Sequence, residues 1–367
     1  MSKETRERKA QAKQAKIDAK NAKKQAKIDA KNAKKQAKID AKNAKKQAKI
    51  DAKNAKKQAK IDAKQAKKDA KLAKKKRRRR WGDRRDGRRV KAPGLQTVMG
   101  YLLPKRTDCE VYLNDTIDAT ELVKYLERRN AEHPDYKTTI FHCAVTGMAR
   151  MVKERPLMNR FIQGYRMYER NEISISFVVK RRFAEGAEES LMVLVPKDTD
   201  NLDTISRKIV GDVRETRKSE HSTGGIDAVL DVFASLPRPV LIVAIRIIRW
   251  LDFWGKNPRA LTDGDPNYTT ILTSNLGSIK CPSVYHHLNN YGTNSIMVTI
   301  GTIHKEEMVM EDGSKEIRDV MEIGATLDER IADGFYFVRS LKLVKHICAH
   351  PELLDRPLGE PSGFDFK

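Results

Sequence analysis

Residues 102–355 of this 367-residue chain predict an α/β fold, a two-layer sandwich in which helices cover one face of a mixed sheet. Three observations carry that prediction. Short strand-like runs interleave with segments of helical periodicity instead of being grouped by type. The first 80 residues hold no aromatic residue and are dominated by Ala, Lys, Gln, Asp and Asn, so they cannot contribute a core. The net charge is confined to that same stretch: 33 Lys and Arg stand against 8 Asp and Glu in residues 1–80, whereas the remainder is balanced at 41 of each. The overall +25 therefore describes a tail, and the folded part has no bias toward anionic partners.

The tail repeats. Ile17, Ile28, Ile39, Ile50 and Ile61 recur every eleven residues within "IDAKNAKKQAK", a period that a nearly straight helix follows at about 3.67 residues per turn. Ala15, Ala19, Ala22, Ala26, Ala30 and Ala33 make a stripe at helical spacing. Methyl groups alone drive packing weakly, so residues 1–80 predict a helical or disordered segment, either a solvated spacer or a helix formed on nucleic acid, an anionic membrane surface or another polyanion. Residues 81–101, punctuated by Gly and Pro in "WGDRRDGRRVKAPG", read as a basic linker.

Beyond the linker each element has a local reason. "CEVYLNDTID" alternates as a strand, and Asp118 can cap the helix "ATELVKYLERRN". "TIFHCAVTGMARMVKERP" has helical periodicity and ends at Pro156. "EISISFVVK" and "SLMVLVP" read as strands, followed by a helix from about Asp203 to Lys218. The strands "TTILTSNLG", "NSIMVTIGTI" and "IRDVMEIGATLDE" and the helix "GFYFVRSLKLVKHICAHPELL" close the domain, leaving 356–367 as a C-terminal tail. Within residues 219–263, "PRPVLIVAIRIIRWLDFWGKNP" predicts an amphipathic helix. Val240, Leu241, Ala244, Ile247, Ile248, Leu251 and Trp254 form its apolar face, and Arg246, Arg249, Asp252 and Lys256 its polar one. It is too short to span a bilayer, and reads as a helix packed on its own domain or a neighbouring subunit, or lying in a membrane plane.

Cys109, Cys143, Cys281 and Cys348 form no C-x-x-C pair, and no charged terminus is followed by an apolar run; the expectation is a cytoplasmic protein with reduced thiols. There is no Walker A loop, dinucleotide fingerprint or metal motif. His286 and His287 in "SVYHHLNNYG" would diverge by about 100° on a helix and read as surface or packing histidines; Cys281, beside Pro282 with no base at a known spacing, reads as an ordinary thiol.

Five pieces remain: "NDTIDATEL", "AVTGMARMVKERPLMNRFI", "LMVLVPKDTDNLDTISRKI", "TSNLGSI" and "DERIADGFYFVRSLKLVKHICAHPELL". In this order, from about Leu102 to Leu354, they resemble the catalytic domain of the dihydrolipoyl acyltransferases of 2-oxoacid dehydrogenase complexes and, more distantly, chloramphenicol acetyltransferase. The resemblance implies a chloramphenicol acetyltransferase-like fold, a homotrimer with active sites between subunits, and acyl transfer involving coenzyme A or acyl-coenzyme A. A Lys-rich repeat stands where that family carries lipoyl and subunit-binding domains, which sets the expectation of a chain outside the core of a dehydrogenase complex. Residues 219–263 look like an insertion.

The family signature reads Asp-His-Arg-x-x-Asp-Gly, the histidine acting as base and an Asp–Arg contact shaping the loop; a serine before Asn-Leu-Gly stabilises the oxyanion. Asp328, Arg330, Asp333 and Gly334 match, as does Ser274, but the histidine position is Glu329. The implied catalytic set is therefore Glu329, Ser274, Arg330 and Asp333, with Arg330 and Asp333 bracing the loop. A carboxylate of ordinary pKa, about 4.3, is a weak acceptor at neutral pH, where a base near 7 works best. Two functions follow: an acyltransferase working through Glu329, or a catalytically silent trimeric scaffold whose basic tail attaches it to a polyanion.

Overall fold

The computed structural model of the protein describes residues 82–134, 136–180, 189–218, 231–310 and 312–366; the repeats of residues 1–80, with the expected tail helix, lie outside the described residues. Residues 80–367 form one compact unit. In chain order its elements begin with β1 (Gly87–Arg89), α1 (Gly94–Leu102), β2 (Glu110–Asp118), α2 (Thr120–Glu132) and α3 (Ile140–Glu154). Next come β3 (Arg160–Gln163), β4 (Arg166–Arg170), β5 (Ile175–Lys180), β6 (Glu189–Leu194) and α4 (Leu202–Lys218). The chain closes with α5 (Arg238–Phe253), β7 (Ile271–Asn275), β8 (Ile296–Val309), β9 (Lys315–Asp328) and α6 (Gly334–Ala349).

The main sheet has the order β2-β9-β8-β7-β5-β6, with β7 parallel to both β5 and β8 and the other pairs antiparallel. Ile175 and Phe177 of β5, Ile271 of β7 and Ile296, Val298 and Ile300 of β8 join one core with the inward stripes of the helices, such as Val145, Ala149 and Val152 of α3 and Leu202, Ile205 and Ile209 of α4. Each large apolar side chain so buried contributes about 1.5–3 kcal/mol, which is why helix periodicity of 3.6 and strand alternation point to the same layer. Asp118 accepts the backbone N–H of Thr120 at 2.9 Å at the start of α2, and α3 gives way at Pro156 to a short 3-10 turn.

The opposite face of the sheet is crossed by the extended segment 281–288. Val284 O accepts the Thr299 hydroxyl, and the Ser283 N–H donates to Glu322 Oε2 at 3.0 Å. A Cβ on Gly301 would lie 2.5 Å from Ser283 N, and one on Gly324 2.8 Å from Val284 O, so only glycine lets the segment approach this closely.

Two segments differ from their sequence reading. The stretch read as a basic linker carries β1, which pairs antiparallel with β4 to make a three-stranded sheet β1-β4-β3, and α1 behind it. What was expected as a C-terminal tail is held by Arg150, whose fully buried guanidinium donates to the carbonyls of Arg356, Pro357 and Glu360 at 2.7–3.2 Å, while Ser362 bonds Glu154.

Helix α5 also departs from its predicted face. Arg84 reaches Asp252 at 2.9 Å and Gln163 donates to the other carboxylate oxygen, so Asp252 turns inward with Ile248. Burial raises the Asp252 pKa, and Arg84 opposes that rise. The rotation leaves Val240, Ile247 and Trp254, expected on a covered face, exposed. Among the described residues no helix is long and apolar enough to cross a membrane.

Candidate active site

The loop 328–333 joins β9 to α6 and is pinned at several points. Asp328 N donates to Ser295 O at 3.0 Å, Glu329 N to Cys109 O at 2.9 Å, and Ile331 N to Asp328 O at 3.2 Å. Asp328, with no exposure, receives Arg330 bidentately, Nε to Oδ1 at 2.8 Å and Nη2 to Oδ2 at 2.6 Å; Arg330 Nη1 goes on to Leu103 O at 2.7 Å. Such a buried pair adds little net stability over an apolar replacement, yet losing one partner costs roughly 3–5 kcal/mol, so its work is to fix one loop geometry.

Arg330's acidic partner is thus Asp328 and not Asp333, correcting the expected brace. Asp333 is instead the N-cap of α6, accepting Tyr336 N at 2.7 Å. Sequence reading missed Arg106, a lone arginine before β2. It is buried, donates to Asn289 O at 2.7 Å and to Ile162 O and Gly292 O at 3.0 Å, and sets Nε 3.8 Å from Asp328 Oδ2. Burial brings its pKa down to about 10, with Asp328 working against that shift. Burial likewise pulls on Arg330, but its bonds to Asp328 outweigh it and the pKa is raised. Nothing in "LLPKRTDCE" distinguishes this arginine, because the acceptors it reaches are backbone carbonyls remote in sequence.

Glu329 is half-buried, and its carboxylate makes no hydrogen bond or ion pair among the described residues. Behind it the Cys109 thiol contacts the carbonyls of Leu103 and Lys105, and burial pushes its pKa up to about 11, so it is no nucleophile at neutral pH.

Ser274 lies elsewhere. Sheet register sets it level with Thr299 and, across β8, Gly324. Glu329 lies just past the end of β9, five residues on from Gly324, so the two are separated by roughly 17 Å along the strands and ~10 Å across them, on the order of 20 Å in all. Within one chain the structure does not bring them together. His286 and His287 lie in the extended segment 281–288, not on a helix; their rings stack 5.0 Å apart and each Nδ1 faces the next residue's carbonyl at 3.0 Å. Cys281 is a half-buried free thiol at the start of the same segment. Among the described residues no group of three His, Cys, Asp or Glu side chains could hold a metal.

A cleft of about 390 Å³ opens beside the loop, lined by Lys105, Arg106, Gln163, Arg249, Asn290 and Arg330 among others. Arg106 and Arg330 are engaged as described; Lys105 and Arg249 are exposed and meet no carboxylate among the described residues. The cleft can therefore hold an anion, while the half-exposed Glu329 can accept a proton.

The sequence profile of the family described as 2-oxoacid dehydrogenases acyltransferase (catalytic domain) matches residues 87–224 and 258–355. The chain is 23% identical over 239 residues to the lipoamide acyltransferase component of the branched-chain alpha-keto acid dehydrogenase complex of Bacillus subtilis (strain 168), a match covering 63% of this chain and 44% of that protein. It thus spans less than half the length of that relative. Similar solved structures include a probable dihydrolipoamide acetyltransferase from Listeria monocytogenes, with a TM-score of 0.48 and 17% identity over 76% of this chain and 98% of that one. A chloramphenicol acetyltransferase gives a TM-score of 0.41 and 12% identity over 71% and 99%. The gap between the two matched ranges contains α5.

Proposed function

We propose, from the premise that this chain belongs to the 2-oxoacid dehydrogenase acyltransferase (catalytic domain) family, that it transfers an acyl group between coenzyme A and a thiol or hydroxyl acceptor, with Glu329 as the proton acceptor. The observation that carries this reading is the buried Asp328–Arg330 pair, which fixes the loop bearing the half-exposed Glu329 and sets Arg330 in the lining of a cationic cleft. Glu329 takes the proton of the attacking thiol or hydroxyl and returns it to the departing sulfur. The oxyanion formed between those steps needs a donor, and the Ser274 hydroxyl suits that role. Since Ser274 and Glu329 of one chain are on the order of 20 Å apart, the site pairs Glu329 of one subunit with Ser274 of the next, most simply in a homotrimer. Lys105 and Arg249 supply charges suited to the phosphates of coenzyme A.

The test is acyl transfer from acetyl-coenzyme A to dihydrolipoamide and related thiols, read by mass. Glu329→Gln should lower the rate by about 10²–10⁴-fold, the usual cost of losing a positioned base. Wild-type activity indifferent to Glu329→Gln would overturn the role of Glu329. An inactive wild type would favour a second reading, a silent trimeric scaffold held on a polyanion by its tail, which draws on the carboxylate at the histidine position and the confinement of charge to residues 1–80. In that case Glu329→His should introduce weak transfer.

A further inference from the structure

Among the described residues, nearly half of the exposed large apolar side chains lie on two helices. On α5, Val240, Val243, Ile247, Trp250 and Trp254 follow at steps of three or four residues and make one outward stripe, with Trp250 63% and Trp254 56% exposed. On α1, Leu95, Val98, Tyr101 and Leu102 are all exposed, Leu95 at 77% and Leu102 at 70%. A ladder of rings joins the two: Tyr101 lies 5.1 Å from Tyr165, Tyr165 5.2 Å from Phe253, and Phe253 5.2 Å from Trp254. The helices thus present their apolar side chains at one end of the domain, on either side of the β3–β4 turn.

We infer that this α1–α5 end docks in the plane of an anionic membrane surface. The charges around it match that occupant. Arg238, Arg246 and Lys256 are exposed on or just beyond α5, and the helix's only acidic residue, Asp252, is buried against Arg84, so no exposed carboxylate faces outward from it. The aromatic composition matches as well, since Trp and Tyr combine an apolar ring with a polar edge and settle at the headgroup boundary. At 16 residues, α5 is too short to span a bilayer and of ordinary length to lie within the interface. A second copy of the chain is the less favoured occupant: α5, which carries most of the surface, lies in the stretch that the family profile skips, so an assembly shared with the family would not depend on it.

The experiment uses the full chain carrying Trp81→Phe, which leaves Trp250 and Trp254 as the only indoles. On vesicles of phosphatidylglycerol and phosphatidylcholine their emission should shift to the blue and be quenched by brominated acyl chains. Vesicles of phosphatidylcholine alone should bind far less. Val243→Asp with Ile247→Asp, both at exposed positions, should abolish the quenching and, at ~1 M salt where charges on the tail are screened within about 3 Å, weaken vesicle affinity about a hundredfold. Bound chain without quenching would mean that the tail alone makes contact, and would overturn the inference. So would a double variant that binds like the parent, equal binding to neutral vesicles, or a double variant whose only change is a smaller mass in light scattering, which would assign the surface to a second copy.

Discussion

His142 shows how far one residue's environment can govern stability. It is 5% exposed at the third position of α3, where its Nδ1 accepts the Thr139 N–H at 3.3 Å while Thr139 caps the same helix. Burial pulls its pKa down to about 4 from the usual 6.5. Protonation at Nδ1 removes the acceptor, so the folded state excludes a proton that the unfolded chain takes up. The unfolded state therefore binds more protons between pH 6.5 and about 4, and stability falls as pH drops through that window. The loss reaches up to about 3 kcal/mol, and a further drop below pH 4 adds nothing from this residue. Denaturant midpoints measured across the window should show the slope, and His142→Gln should flatten it. The site loop is only partly legible from sequence. The signature predicts which residues gather at 328–334, but not that Asp328 holds Arg330, since spacing alone allows either aspartate to reach the guanidinium.

At the scale of elements, Arg150 fastens the chain's last segment to α3. Its guanidinium has no exposure and draws its acceptors from residues 356–360. Removing residues 356–367 strands that charge in the interior, and Arg150→Met strands the carbonyls; each change should cost roughly 2–4 kcal/mol, read as a lower denaturant midpoint at unchanged slope. The long helices and the alternating strands β2, β5, β8 and β9 are legible in the sequence because their own periodicity decides which side is buried. What escaped is whatever depends on distant partners. β1, three residues long, exists only because β4 pairs with it. The β3–β4 hairpin turns at Gly164 and Tyr165, both at positive φ, with no Asn-Gly or Asp-Gly to announce it. Asp252 turns α5 away from its apparent apolar face because Arg84, 168 residues away, is there to receive it.

For the whole molecule, the charge and the fold separate. Residues 80–367 are a compact unit, whereas the +25 belongs to residues 1–80. Deleting residues 1–80 should abolish retention on nucleic acid while leaving the far-ultraviolet spectrum of the folded unit intact. If about six or more phosphates are engaged, retention by the full chain should weaken roughly a thousandfold or more between 50 and 200 mM salt. Unchanged retention after the deletion would assign the polyanion contact to the folded unit. The distance between Ser274 and Glu329 has a genetic consequence. If the site is shared between subunits of a homotrimer as proposed, Ser274→Ala and Glu329→Gln each spoil every site in their own homotrimers, but they spoil opposite halves. Co-expressed in equal amounts, the two dead alleles should complement one another: one subunit junction in four joins an intact Glu329 to an intact Ser274, restoring about a quarter of the parental rate. By the same logic either mutant mixed with parental chains should leave the parental activity undiminished, because each junction it spoils through its defective half is matched by one it completes through its sound half. Two alleles that remained silent in the same cell would place both halves of the chemistry within a single polypeptide.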